Sequence, residues 1–323
     1  MPETVGDLPA LVLRLYAVAF GLVWGSFLNV VIYRVPLHLS VVRPASHCPG
    51  CKAPVRARDN IPVLGWLLLR GKARCCGAPL SPRYPLVEAM GGLLSLAILE
   101  VIIFPLGPDT SLARAGALYV ADLALVLGLV AGAFIDLEHM YLPDPITIGG
   151  AVLGLATASL RGLDLRSSIV GALTGFTLVW LPFVFIYPRV RGKVGMGLGD
   201  AKLLMLAGAW FGWGGALFVL GAAAVQGTIA AVIMLLARGK IEDPEAVVRE
   251  REEIQKELDA MSPEDRALAE KELADDPLAE EAGEGVLQAR MAFGPFLALA
   301  TLEALYLGRE TITGYFAWTE LLG

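Results

Sequence analysis

The sequence predicts an all-α polytopic membrane protein with about eight transmembrane helices and a small cytoplasmic, cysteine-containing domain of zinc type. Three observations predict it. Hydrophobic residues make up 56% of the 323 residues and charged ones 18%, against about 25% charged in ordinary soluble proteins, and the mean hydropathy is +0.63. Nearly uncharged stretches of about 20 residues recur along the chain, the length that crosses a hydrocarbon core of about 30 Å. Four cysteines fall as two pairs inside one basic segment.

The first apolar stretch, 10–33, is too long for a signal-peptide core, and Glu3 and Asp7 precede it where basic residues would be expected. It reads as a retained span. Further spans are expected at 85–104, 116–136, 145–160, 167–187, 200–213, 214–237 and 291–308, with a re-entrant turn at the Gly-rich Phe211–Gly215 stretch as the alternative to two separate spans there. Between the first two spans lie nine basic residues, Arg34 to Arg83, and Asp59 as the sole acid. The positive-inside rule makes that loop cytoplasmic, and the basic 189–202 turn falls on the same side. An eight-span count leaves both ends outside. The chain thus divides into a first span (1–33), a cysteine-rich loop domain (34–84), a transmembrane core (85–237), an insert (238–290) and a last span with its tail (291–323).

The net charge of −6 is unevenly spread. Residues 238–290 hold 17 acidic and 8 basic residues, a local charge of −9, which leaves the remainder at +3. The insert reads helically at 245–260 and 262–274, the second with Ser262 as cap and Pro263 at the first helical position. A solvated helical linker accounts for its charge pattern, and a docking surface for an assembly protein is the functional alternative. The partner of such a surface is left open.

Cys48-Pro49-Gly50-Cys51 is a C-x-x-C knuckle, and Cys75-Cys76 follow after 23 residues. Four thiolates bind zinc tetrahedrally, and a metal compensates for a loop too short to hold a core. A redox pair lacks its usual fold context here, and a cytoplasmic loop disfavours structural disulfides. The adjacency of Cys75 and Cys76 strains joint ligation, with His47 as a substitute ligand.

Carboxylates inside a membrane are costly and functional by default. Glu88, Glu100, Asp122 and Glu303 qualify on that ground alone, with an interfacial place or a structural hydrogen bond as the ordinary explanation. Asp136 and Asp200 stand apart. Asp136 closes an apolar span just before the break Leu142-Pro143-Asp144-Pro145, and Asp200 follows Gly195-Met196-Gly197-Leu198-Gly199. Glycines allow close approach of a substrate to the backbone, so Gly197 and Gly199, with Lys202, are assigned to supporting that loop. Irregular backbone at membrane depth belongs where it lines a cavity. Asp144 competes with Asp136, although its flanking prolines mark it as part of the turn. Two aspartates within reach of each other share one proton and divide acid and base roles, as in aspartic proteases. A proton-coupled transporter with the aspartates as relay carboxylates, or a scaffold that leaves them dispensable, are the competing readings. Midplane carboxylates and internal repeats would favour the transporter, and neither is apparent.

On these residues the chain resembles the type IV prepilin peptidases, bacterial relatives of the G-x-G-D intramembrane aspartic proteases. The resemblance runs through Gly25-Ser26-Phe27-Leu28-Asn29-Val30, the cysteine loop, Asp59-Asn60-Ile61-Pro62, Ser81-Pro82-Arg83-Tyr84-Pro85, Ile135-Asp136, Leu142-Pro143-Asp144, Gly195–Lys202 and Phe293-Gly294-Pro295-Phe296. It implies a multi-pass protein of the bacterial inner membrane that cuts the short basic leader from prepilins and pseudopilins after a glycine, on the cytoplasmic side. It also implies Asp136 and Asp200 as the catalytic pair and methylation of the new N-terminal amine with S-adenosylmethionine. Its partners are then the lipid bilayer and pilin-like substrates, with no nucleic acid. Two departures stand out. The family's second cysteine pair is usually C-x-x-C, and its first position corresponds to Ala73 here, which leaves Cys75 to replace the missing thiolate. The insert 238–290 is also longer than the family's connection.

Overall fold

The structure, a computed structural model, describes residues 2–48, 50–191, 195–238, 245–262, 266, 269 and 291–321. Among them there is no strand, only three isolated bridges. The helices are α1 (Ala10–Arg34), α2 (Leu64–Leu68), α3 (Arg83–Ile98, prolonged by a π-helical turn Leu99–Ile103), α4 (Leu112–His139), α5 (Asp144–Ala156), α6 (Leu165–Val179, prolonged by a π-helical stretch Trp180–Ile186), α7 (Tyr187–Arg191), α8 (Leu198–Arg238), α9 (Glu245–Ala260) and α10 (Gly294–Leu321).

Five helical runs are long and apolar enough to cross a membrane: Ala10–Arg34, Arg83–Leu106, Leu112–His139, Leu165–Arg191 and Leu198–Ala237. Asp144–Ala156 and Gly294–Gly308 are apolar but shorter. The expected eight spans are therefore not reproduced as eight. The stretch predicted at 145–160 forms a helix of 13 residues, about 20 Å of rise against the roughly 30 Å required. The pair predicted at 200–213 and 214–237 runs as one helical stretch broken at Gly212, where φ is 77° and ψ −176°. That break lies inside the Phe211–Gly215 segment where a turn was expected. A second break with the same geometry sits at Gly308 of α10, φ 75° and ψ −177°. Hydropathy registers apolar length and is blind to such breaks. The helix expected at 245–260 is present as α9, whereas the cap at Ser262-Pro263 and the rest of the helix at 262–274 lie largely outside the described residues.

The chain divides into two compact units, Met1–Ala131 with Ser159–Gly162, and Gly132–Ala158 with Leu163–Gly323. In the first, α1 and α3 pack through small residues. Gly21 and Gly25 abut Gly91 and Glu88 so closely that a Cβ on either would collide with α3 backbone. Ser95 fastens the seam by donating to the Ala17 carbonyl at 2.6 Å and meeting the Tyr119 hydroxyl at 2.6 Å. Small residues that let backbones approach, reinforced by hydroxyl bonds, are how apolar helices associate in lipid. Between α1 and α3 the cysteine loop forms a small polar domain.

The second unit repeats that device. Gly171 and Gly175 of α6 lie against the backbone of Gly208 and Leu204 of α8, and Ser168 donates to the Ala209 carbonyl at 2.5 Å. Gly150 and Gly154 of α5 make room for Leu206 and Trp210, and the Trp210 indole donates to the Gly150 carbonyl at 2.9 Å. On α10, Glu303 accepts from Gln226 of α8 at 2.8 Å. This packing fixes the first turn of α8, the α4–α5 connection and the start of α10 against one another.

Candidate active site

Asp136 stands in the last turn of α4 and is buried, 7% exposed. The helix stops at Met140, which takes a left-handed φ of 52°, and the chain turns through Leu142-Pro143 into α5. Leu142 is itself buried and acts as a wedge. Gly199 abuts it, so that a Cβ there would come within 2.9 Å of the Leu142 Cβ. Gly294 abuts it from the other side, where a Cβ would lie 3.1 Å from Leu142 Cδ1 and 2.6 Å from Asp136 Oδ2. Asp200, 9% exposed, sits in the first turn of α8, its N–H bonded to the Gly197 carbonyl at 3.2 Å. The charge of Asp136 acts on Asp200. Two buried carboxyls are thus gathered round one leucine, and the backbone N–H of Gly294 donates to Asp136 Oδ2 at 3.0 Å.

The loop residues assigned from sequence take distinct places. Gly197 lies over Asp200, where a Cβ would sit 3.4 Å from Oδ2, and Gly199 packs on Leu142. Lys202 pairs with Asp144 at 2.6 Å, an ion pair whose carboxylate side chain is 55% exposed. Asp144, the rival of Asp136, is therefore engaged at the surface. Sequence reasoning missed Leu142 and Gly294. Phe293-Gly294-Pro295-Phe296 was visible as a motif, but nothing local revealed that its N–H reaches a carboxylate 158 residues away.

The other membrane carboxylates have structural surroundings. Glu100 pairs with Arg14 at 2.6 Å, Glu303 accepts from Gln226, and Glu88 accepts the Val63 N–H at 2.6 Å. Asp122, 1% exposed, faces the charge of Arg161.

The four cysteines converge, with all four Sγ atoms within 4.8 Å of one another. Cys48 lies 3.6 Å from Cys76, Cys51 3.2 Å from Cys75, and Cys75 3.9 Å from Cys76. Zn–S bonds of about 2.3 Å at tetrahedral angles put sulfurs about 3.8 Å apart, so the set fits a thiolate-bound metal. His47 is outside the cluster, its ring Nδ1 lying 3.4 Å from the Ala45 carbonyl.

The adjacency of Cys75 and Cys76 resolves into a repeat. Cys48 N–H bonds to the Ala53 carbonyl and Lys52 N–H to the Cys48 carbonyl; Ala73 N–H bonds to Ala78 and Gly77 N–H to Ala73 in the same way. The bridges His47–Pro54 and Lys72–Pro79 flank them. Ala73 thus occupies the place of Cys48, Cys76 that of Cys51, and Cys75 supplies the fourth sulfur from the position of Gly50. The Cys51 backbone N–H, first among several bonds, lowers the Cys48 thiol to about 6, while the Cys51 side chain, as the largest influence, pushes Cys75 up to about 12.

A multi-pass helical membrane protein with a paired-carboxylate site and a separate four-cysteine domain is the class this architecture defines. Two family profiles place it further: the bacterial peptidase A24 N-terminal domain matches residues 19–102, and the type IV leader peptidase family matches residues 123–232. The chain is 42% identical over 243 residues to a prepilin leader peptidase/N-methyltransferase of Myxococcus xanthus, covering 73% of this chain and 68% of that one. It is 41% identical over 201 residues to one from Klebsiella pneumoniae, covering 60% and 82%. With one from Neisseria gonorrhoeae it shares 34% over 249 residues, 69% and 83% of the two chains. No solved structure matches. The chain belongs to the type IV leader peptidase family, with the bifunctional peptidase and N-methyltransferase character that its relatives' names carry. The transporter reading finds no support among these matches.

Proposed function

We infer that this protein removes the short basic leader from prepilins and pseudopilins after a glycine, at the cytoplasmic face of the inner membrane, with Asp136 and Asp200 as the catalytic pair. The observation that carries the reading is the pair of buried carboxyls assembled round Leu142, one of them held by the Gly294 N–H. One carboxylate takes a proton from water, whose oxygen forms a bond to the scissile carbonyl carbon. The other, protonated, hands its proton to the carbonyl oxygen. Collapse of that tetrahedral centre breaks the C–N bond, with a proton passing from an aspartic acid to the leaving amine. Burial supports the division of labour, because two close carboxyls in a dry site share a proton as one unit.

The liberated amine is then methylated. S-adenosylmethionine, when bound, would supply the electrophilic methyl group for that amine. Cys48, Cys51, Cys75 and Cys76 would hold a structural zinc, which would tie the two knuckles of the loop together.

The deciding experiment is cleavage of a purified prepilin by Asp136→Asn and Asp200→Asn. Both should insert and fold normally yet leave the leader in place. Near wild-type cleavage by either variant would sink the two-aspartate reading.

A further inference from the structure

Helix α2 carries an apolar face outward. Leu64, Leu67 and Leu68 stand at i, i+3 and i+4, the spacing that puts side chains on one helical face, and they are 56%, 54% and 77% exposed. Ile61, three residues before Leu64, extends the stripe at 46%. Other residues of α2 do the packing. Gly65 abuts the Asp59 carbonyl so closely that a Cβ would come within 2.4 Å of its oxygen, and the Trp66 indole donates to the Leu80 carbonyl at 3.1 Å. We propose that α2 is an interfacial helix: its leucines enter the headgroup region of the leaflet from which α3 departs, and Arg70 and Lys72 bind anionic lipid headgroups there. That contact depends on α3 crossing the membrane and on neither enzymatic activity.

Hydrogen bonds fix α2 beside the first turns of α3. The Val63 N–H donates to Glu88 Oε2 at 2.6 Å, and the Leu80 N–H donates to the Gly71 carbonyl at 2.8 Å, three residues before α3 begins at Arg83. Glu88 is five residues into α3, about 8 Å along its axis. The apolar run Arg83–Leu106 has 24 residues, a rise of about 36 Å, which exceeds a hydrocarbon core of about 30 Å. Its first turns therefore lie at headgroup depth, and both ends of α2 are bonded at or next to them.

The orientation of α2 is held against backbone strain. Val63 adopts φ 61° and ψ −51°, and the Leu64 N–H closes on the Pro62 carbonyl at 2.6 Å. This is a γ-turn of the rare, strained type, centred on a β-branched residue. At the other end Arg70 takes a left-handed φ of 51°. Two strained residues bracket five helical ones and set which face looks outward, and the face so presented is leucine.

Lipid suits that face better than protein does. Arg70 and Lys72 are exposed and their side chains have no partner among the described residues, whereas Arg74 is paired with Asp59 and Arg34 with the Ser40 and Pro44 carbonyls. Exposed leucines beside unpaired cations are the composition of segments that lie in an anionic lipid surface. A stable protein partner needs about 800 Å² of contact on each side, more than four side chains of one short helix supply. The same cations repel a basic leader peptide. Contact through α2 gives the cysteine domain a third attachment to the bilayer, besides α1 and α3.

The test places a photoreactive benzoylphenylalanine singly at Leu64, Leu67 or Leu68 of the full chain, in nanodiscs of phosphatidylethanolamine and phosphatidylglycerol. Leu93, 68% exposed on the spanning part of α3, calibrates the yield. Mass spectrometry after irradiation should find lipid adducts at the α2 positions in amounts comparable to those at Leu93. In nanodiscs that mix phosphatidylglycerol with phosphatidylcholine, the wild-type chain should retain phosphatidylglycerol preferentially on extraction, and Arg70→Gln combined with Lys72→Gln should reduce that preference severalfold. Unchanged melting temperature and metal content would show that the loop of the double variant is still folded. Lipid adducts at Leu93 alone, or adducts at α2 that join two protein chains, would overturn the interfacial helix. An unchanged lipid preference in the folded double variant would overturn the headgroup contacts.

Discussion

At Gly294 the difference between hydrogen and methyl decides where a carboxylate sits. Its N–H holds Asp136 Oδ2 at 3.0 Å, and a Cβ would stand 2.6 Å from the same oxygen. Gly294→Ala therefore displaces Asp136 without altering its chemistry. Misplacement of a reacting group by about 1 Å costs about 100-fold in rate, so kcat for leader removal should fall by that order in a cleavage assay while substrate binding changes little. Asp144→Asn provides the contrast. It breaks an ion pair with Lys202 whose carboxylate is 55% exposed, a contact worth about 0.2–1 kcal/mol, and the same assay should register less than about a fivefold loss. The two buried aspartates were legible in sequence because charge at the end of an apolar span demands an explanation. Gly294 was not, because an N–H partner 158 residues away leaves no mark on local sequence.

Helix pairing in both units depends on glycines facing glycines. The seam of α6 and α8 is the tightest example, with Gly171 and Gly208 in backbone contact. Gly208→Val would force the helices apart. Overpacking of this kind costs about 1–3 kcal/mol, to be read as a lowered melting temperature in micelles, with activity lost only as the protein unfolds. Five spanning helices and α9 were visible from hydropathy and charge pattern. The break in α8 was foreshadowed by the Gly-rich Phe211–Gly215 stretch, but the shortness of the 13-residue α5 was not legible, since a window of apolar residues carries no signal for where a helix stops inside a packed unit. The second knuckle was half legible. Its cysteines announced a metal, but only the matched hydrogen bonds of the two turns reveal that Cys75 enters from the place of Gly50.

Across the whole molecule, the cysteine cluster and the two buried aspartates belong to different compact units of the chain, so metal should matter unequally to them. Metal removal by chelation, or Cys75→Ser, should lower the melting temperature of the cysteine domain and leave prepilin cleavage standing. Loss of cleavage in both cases would argue against this partition. The cluster also predicts a pH dependence of metal uptake. Above about 6 Cys48 is already ionised, whereas Cys75, pushed up to about 12, keeps its proton until the metal displaces it. Zinc affinity therefore rises with pH across the neutral range, with protons released on binding. Titrations in two buffers of different ionisation enthalpy would count those protons. Neither family profile reaches the acidic insert 238–290, the matches ending at residue 232.

The twin breaks at Gly212 and Gly308 have a genetic consequence. Their φ near 76° with ψ near −177° is a backbone region open almost solely to glycine, and the nearest atoms leave room for a side chain at both. A missense change in the first two bases of either codon installs a residue whose Cβ fits the space and whose backbone does not fit the torsion. Saturation mutagenesis should therefore find these two codons intolerant of alanine as well as of bulky residues, unlike glycines where size alone is penalised.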